Sequence, residues 1–216
     1  MVHFHTNNKM NLGDLKTGDL LLFNHKAEWS FMGILTSLIK FGTHSDYSHI
    51  AMVLRDPTWL DPALKGLYVW ESSFNGTPDP QDGKVKLGVQ VTPLAELMAA
   101  YPQHIYVRRP TWPSSTDTPF TPSTLRTIHR VVYDKPYDLV PKDWVDALLR
   151  KDPDPQVVSR FWCSALVGYI YTITGILAPT TDWTILRPSD FSLDGQSLVF
   201  QGGFGLEAAE YLLETK

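Results

Sequence analysis

Phe161-Trp162-Cys163-Ser164-Ala165-Leu166-Val167-Gly168-Tyr169 carries the chain's only cysteine, just where the polar boundary at Arg160 gives way to an apolar run. Leu166, Tyr169, Ile170 and Ile173 recur at helical spacing, and Gly175 is placed to end the helix. Cys163 is therefore expected in the first helical turn, its sulfur pointing toward the incoming chain. A helix N-terminus favours the thiolate, and a neighbouring imidazolium favours it further. A free cysteine is also an ordinary small buried hydrophobe, and the spacing leaves both readings open.

Well upstream lies Tyr47-Ser48-His49-Ile50-Ala51-Met52-Val53-Leu54. Strict alternation puts His49, Ala51 and Val53 on one face of a strand, with Ile50, Met52 and Leu54 on the other. A histidine at the mouth of an apolar strand is either a satisfied core residue or a rigidly held base. A thiol at a helix start and a histidine on a strand are the parts that a thiol nucleophile and its base require. In Leu67-Tyr68-Val69-Trp70-Glu71-Ser72, Leu67, Val69 and Glu71 share a face, so a carboxylate ends an apolar stripe. Burial of that carboxylate calls for a partner, and an imidazole N–H is the evident one. Glu71 is then the candidate orienter of His49; the other reading is a solvated glutamate at a strand end.

The remaining six of the seven histidines sit in less defined places: His3 and His5 in the lead-in, His25 and His44 in loops, His104 near a strand end and His129 in a helix. His44-x-Asp46-x-x-His49 has neither the helical nor the hairpin spacing of a metal site, so neither a metal nor another cofactor is expected.

The 216 residues suit one domain with a full core. With 43% hydrophobic and 19% charged residues the chain reads as globular. A formal charge of −4 with no cluster of Lys and Arg argues against a nucleic-acid partner. One cysteine excludes an internal disulfide, and the first nine residues lack the apolar core of a signal peptide, so a cytoplasmic protein is expected. Residues 161–181 carry no formal charge, which raises a membrane span. Ser164, Gly168, Thr172, Thr174, Gly175 and Pro179, without flanking basic clusters, favour a buried helix instead.

Residues 1–11 read as a loose polar lead-in. Gly18-Asp19-Leu20-Leu21-Leu22-Phe23 follows as a buried strand, then a helix over 28–40 with Gly42 at its end. Strands are expected at 48–54, 67–72, 85–91 and 104–109. Thr92-Pro93 signals a helix start, threonine as cap, before 94–100. Thr121-Pro122 repeats the signal before Leu125, Ile128, Val131 and Val132. Residues 112–119 and 151–155 are loops. The class is α+β, with an antiparallel sheet in the first half and mostly helices in the second.

At these residues the chain resembles the NlpC-type papain-like hydrolases. Cys163-Ser164-Ala165-Leu166-Val167-x-Tyr169-x-Tyr171-x-x-x-Gly175-Ile176 is similar to the family's cysteine helix, Ser48-His49-Ile50 to its histidine strand, and Lys135-Pro136-Tyr137-Asp138 to its Pro-Tyr element. The histidine here precedes the cysteine. That order resembles the circularly permuted branch, which includes YiiX-like bacterial proteins, poxviral relatives and the lecithin:retinol acyltransferase type. Thr17-Gly18-Asp19-Leu20 resembles the opening of that branch, Val69-x-Glu71-Ser72 its acidic third position, and Pro93-Leu94 the start of its "PL" helix. Trp162 departs from the aspartate common just before the nucleophile, and the residues after Asp190 match no element of the family.

The resemblance implies a papain-like, circularly permuted core over about 14–190 of a single domain, with the sheet packed against the cysteine helix. It makes Cys163 the nucleophile, His49 the base and then the acid, and Glu71 the orienter. Tyr137 and the backbone N–H of Cys163 become the oxyanion donors. The reaction is acyl transfer through a thioester. An amidase or peptidase acting on a peptide-like or isopeptide bond is one form of it. A lipid acyltransferase, thioesterase or phospholipase-like enzyme at a membrane surface is another, to which Trp29-Ser30-Phe31-Met32-Gly33-Ile34-Leu35 would suit an acyl chain. A silent binding or structural protein that keeps the fold is the third reading.

Overall fold

A computed structural model describes residues 8–24, 47–100, 105–139 and 156–214. The helix expected over 28–40, the 151–155 loop, and His3, His5, His25, His44 and His104 lie outside these residues. Nine strands are described: β1 (Lys9–Asn11), β2 (Leu20–Phe23), β3 (His49–Arg55), β4 (Leu67–Ser73), β5 (Gly88–Pro93), β6 (Ile105–Arg108), β7 (Pro110–Thr111), β8 (Gly205–Leu206) and β9 (Tyr211–Glu214). Three α-helices accompany them: α1 (Leu94–Ala100), α2 (Pro122–Val132) and α3 (Cys163–Ile173).

Seven strands form one sheet in the order β1-β9-β6-β2-β3-β4-β5, antiparallel except where β1 runs parallel to β9. The class is thus α+β with a large, mostly antiparallel sheet. Alternation decides which helix each face receives. Ile50, Met52, Leu54, Trp70, Val89 and Val91 meet α3 and the Leu125, Ile128 and Val132 stripe of α2. Ala51, Val53, Val69, Leu21 and Phe23 meet Leu94 and Leu97 of α1 on the other face. Each such fully buried large apolar side chain contributes about 1.5–3 kcal/mol through removal from water.

α2 begins as the sequence signals: Thr121 Oγ1 accepts the N–H of Thr124 at 3.2 Å and Pro122 occupies the first turn. α3 is buried on all sides from Cys163 to Thr172, the pattern of a core helix, and Gly175 with φ +78° follows it. No helix among the described residues is long and apolar enough to cross a membrane.

Four local expectations are corrected. Met10 of the supposed loose lead-in is buried in an edge strand that pairs with β9. The second half supplies strands as well as helices, and strand pairing extends past residue 190. The fifth strand starts at Gly88 and not at Val85, which is 54% exposed and makes only an isolated bridge to Pro78. Thr92 does not open α1, because β5 runs through it to Pro93. The Gly18-Asp19 pair serves the fold: both Asp19 oxygens accept from Arg109, at 2.9 and 2.8 Å, tying the start of β2 to the chain beyond β6.

Candidate active site

The site is assembled where two neighbouring strands part. β3 and β4 pair from Met52/Trp70 to Arg55/Leu67. Before that point 49–51 pairs with β2, while 71–73 pairs with β5. The result is a fork with His49 on one arm and Glu71 on the other. The chain entering α3 meets this fork: Ser72 Oγ donates to the Phe161 carbonyl at 2.6 Å, two residues before the cysteine.

Trp162 caps α3 in an extended conformation, and Cys163 is the first helical residue, as the spacing predicts. It is free and only 2% exposed. Its thiol lies close enough to the His49 ring to interact with it and raise its pKa. The opposite side of that ring is held by Glu71, with Nε2 and Oε2 2.7 Å apart. Phe23, opposite His49 in the β2/β3 ladder, stacks tilted against the imidazole with centroids 5.3 Å apart. Cys163, His49 and Glu71 therefore stand together, although the first is far from the others in sequence. Nε2 faces Glu71, which leaves Nδ1 as the nitrogen for the sulfur.

The electrostatics follow from that placement. Burial disfavours a charged His49, but hydrogen bonds to Cys163 and Glu71, and the negative charges that both can carry, outweigh it and raise its pKa from 6.5 to about 10. His49 thus holds its proton at neutral pH. Glu71 is 1% exposed, so its carboxylate depends on partners rather than water. Besides His49, it accepts from Thr92, whose Oγ1 lies 2.7 Å from Oε1.

Tyr137 lies beside the nucleophile segment through the backbone. Its residue forms a parallel bridge with Phe161, Phe161 N–H donates to the Pro136 carbonyl at 3.1 Å, and Asp138 N–H donates back to the Phe161 carbonyl at 3.3 Å. Asp138 Oδ1 also pairs with Arg160 Nε at 3.1 Å. Gly88 makes this approach possible: at φ +151°, a Cβ there would fall 2.2 Å from the Lys135 carbonyl oxygen.

Sequence reasoning missed Thr92, Asn75, Ser72 and Gly88. Thr92 and Asn75 carry a cap signal and a turn signal respectively; only the β4/β5 register brings Thr92 to Glu71, and Asn75 in turn meets Thr92. His129, the other described histidine, stacks near Trp59, Trp70 and Tyr133 and bonds Gln81 Oε1 at 2.6 Å, away from the cysteine cluster. Among the described residues no group of three or more His, Cys, Asp or Glu side chains is placed to hold a metal ion; His44 and Asp46 lie outside them.

No family model matches the sequence, and no curated protein matches it. Among solved structures, the fold is similar to the metalloprotein YiiX from Escherichia coli O157:H7, at 17% identity and a TM-score of 0.48 over 91% of this chain and 98% of that one. A likeness so distant leaves the functional reading to the residues themselves.

Proposed function

We propose that the chain is a cysteine-nucleophile acyl-transfer enzyme of the papain-like, circularly permuted type, acting on a peptide-like or isopeptide amide through a Cys163 thioester. The observation that supports the reading is the grouping itself: a thiol at the first residue of a buried helix, acting on an imidazole that is hydrogen-bonded to a buried carboxylate.

In the proposed cycle Cys163 Sγ, as thiolate, attacks the amide carbonyl carbon. The carbonyl oxygen takes up the negative charge and is met by the Cys163 backbone N–H and the Tyr137 hydroxyl. His49 gives its Nδ1 proton to the departing nitrogen, and the C–N bond breaks to leave the amine and a thioester. Consumption of the thiolate removes one of the two negative groups that sustain the imidazolium, so His49 becomes a better acid as the sulfur bonds. Water then attacks the thioester, His49 takes its proton, and the acid departs as the thiolate reforms beside the imidazolium.

An amine leaving group requires a proton, and an imidazolium kept charged to about 10 carries one in the resting site. The test is intact-protein mass spectrometry after mixing with a panel of N-acyl peptide amides and phosphatidylcholine vesicles. A mass increase on Cys163 matching the acyl group of a peptide amide, absent in Cys163→Ala, is expected. Acyl capture from the vesicles alone would transfer the reading to lipids, and no capture from any member would argue for a silent fold.

A further inference from the structure

We infer that Asn75 and Thr92 are positioning residues that hold the Glu71 carboxylate in place behind His49 and thereby aim Nδ1 of His49 at Cys163; this rests on the functional reading above. The chain of hydrogen bonds has fixed polarity at both ends, a backbone N–H at one and the Glu71 carboxylate, which only accepts, at the other. The N–H of Thr77 donates to Asn75 Oδ1 at 3.0 Å, and an N–H cannot accept. The amide of Asn75 is therefore fixed with Nδ2 facing Thr92, 2.9 Å from Oγ1. An amide NH2 only donates, so Thr92 Oγ1 accepts from it and has its single proton left for Glu71 Oε1, at 2.7 Å. Oε1 is thus committed as an acceptor. Oε2 receives the Nε2 proton of His49 at 2.7 Å, and Nδ1 becomes the nitrogen that serves the sulfur.

Each link follows from the one before, and the chain ends at the nucleophile. Thr92 is 1% exposed and Glu71 1%, so water does not substitute for a missing link. The hairpin that carries Asn75 is itself anchored. Asp79, 1% exposed, accepts from Lys86 Nζ at 2.9 Å and from the Val91 N–H at 3.2 Å, next to Thr92. Register explains why the donor is Thr92: Val69 pairs with Thr92 and Glu71 with Gln90, so Thr92 stands on the Glu71 face one step diagonally across the ladder. The other charged groups that act on the His49 ring are Cys163 and Glu71, both already in the chain.

If Thr92 loses its hydroxyl, Glu71 Oε1 is left buried without a donor. The carboxylate is then held from the His49 side alone and is less firmly placed to support the ring. The test follows two readouts on the full chain: the rate of Cys163 alkylation by iodoacetamide at pH 6, and the titration midpoint of the His49 ring by NMR, assigned against His49→Gln. Thr92→Val is expected to slow alkylation about tenfold and lower the His49 midpoint, the loss of one charge-assisted hydrogen bond. Thr92→Ser, which keeps the hydroxyl, restores both.

Asn75→Ala leaves the Thr92–Glu71 bond in place but removes the donor that holds Thr92, and is expected to slow alkylation about threefold, a smaller share of the same bond energy; it decides the matter if Thr92→Val does not fold. Unchanged alkylation and an unmoved midpoint in Thr92→Val, or in Asn75→Ala where that variant decides, overturn the inference. A wild-type Cys163 that reacts no faster than free cysteine instead overturns the functional reading, which separates the two failures.

Discussion

Replacement of Glu71 by glutamine removes one buried negative charge while almost keeping the side-chain shape. In the wild type the distance from the ordinary 6.5 to about 10 amounts to about 5 kcal/mol in favour of the charged His49 ring, reached against the burial that opposes it. Glu71 supplies one of the two hydrogen bonds and one of the two charges behind that figure. Its loss leaves the opposing burial in place, so it should remove more than half of that net preference and bring the His49 midpoint well below 10. Glutamine also disturbs the proton order. With its oxygen kept toward Thr92, its NH2 faces His49 Nε2, donor against donor, and Nδ1 must carry the ring's proton when His49 is neutral.

Stability should follow the same group. A folded value above the unfolded one means that the stabilisation is full below pH 6.5 and is lost as the pH rises through about 10. Urea unfolding should therefore show Glu71→Gln less stable than wild type by at least about 2 kcal/mol at pH 6.5, with the gap narrowing toward pH 10. The direct assay is NMR titration of the His49 ring in both proteins. A midpoint that stays near 10 in Glu71→Gln would refute the reasoning, since Glu71 would then contribute nothing to the charge.

Tyr137→Phe should lower the rate of acyl-enzyme formation by about a hundredfold, as removal of one oxyanion donor does, while iodoacetamide labelling of Cys163 stays unchanged; undiminished acylation would make the phenol a packing group only. Gly88→Ala should destabilise the fold by more than about 1 kcal/mol, because its Cβ meets the Lys135 carbonyl and its φ of +151° disfavours a side chain. The same variant should slow acylation, because the Pro136–Tyr137 run is displaced; thermal melts and acylation rates check the pair. Thr121→Ala should cost about 1 kcal/mol through the lost cap of α2 and lower the melting temperature without altering Cys163 alkylation, α2 being outside the grouping of Cys163, His49 and Glu71.

Much of the local structure was legible in the residue pattern. The spacing of Leu166, Tyr169, Ile170 and Ile173 located α3 and put Cys163 in its first turn, and alternation around His49 assigned both faces of β3. Thr121-Pro122 opened α2 with its threonine as cap, whereas after Thr92-Pro93 the expected helix follows at Leu94 but Thr92 itself belongs to β5. The difference is tertiary: the Thr92 hydroxyl is claimed by Glu71 across the ladder, so β5 continues through Thr92 to Pro93. Met10 reads as part of a polar stretch because its burial depends on β9, at the far end of the chain. The fork between β3 and β4 has no sequence signature either. It arises because the β3/β4 ladder stops at Met52/Trp70 while the β2/β3 and β4/β5 ladders run on past it, a difference that no local window contains.

The central claim is tested most directly by the alkylation of Cys163, the chain's sole thiol, so that every label reports on the site. At pH 6 a free cysteine, with a pKa of about 8.5, is almost wholly protonated and reacts slowly with iodoacetamide. With His49 charged against the sulfur and Glu71 behind it, folded Cys163 should react at least about tenfold faster than the same cysteine in the urea-unfolded chain. His49→Ala should abolish the advantage. A folded thiol that reacts no faster than the unfolded one, with no response to His49→Ala, would contradict the account.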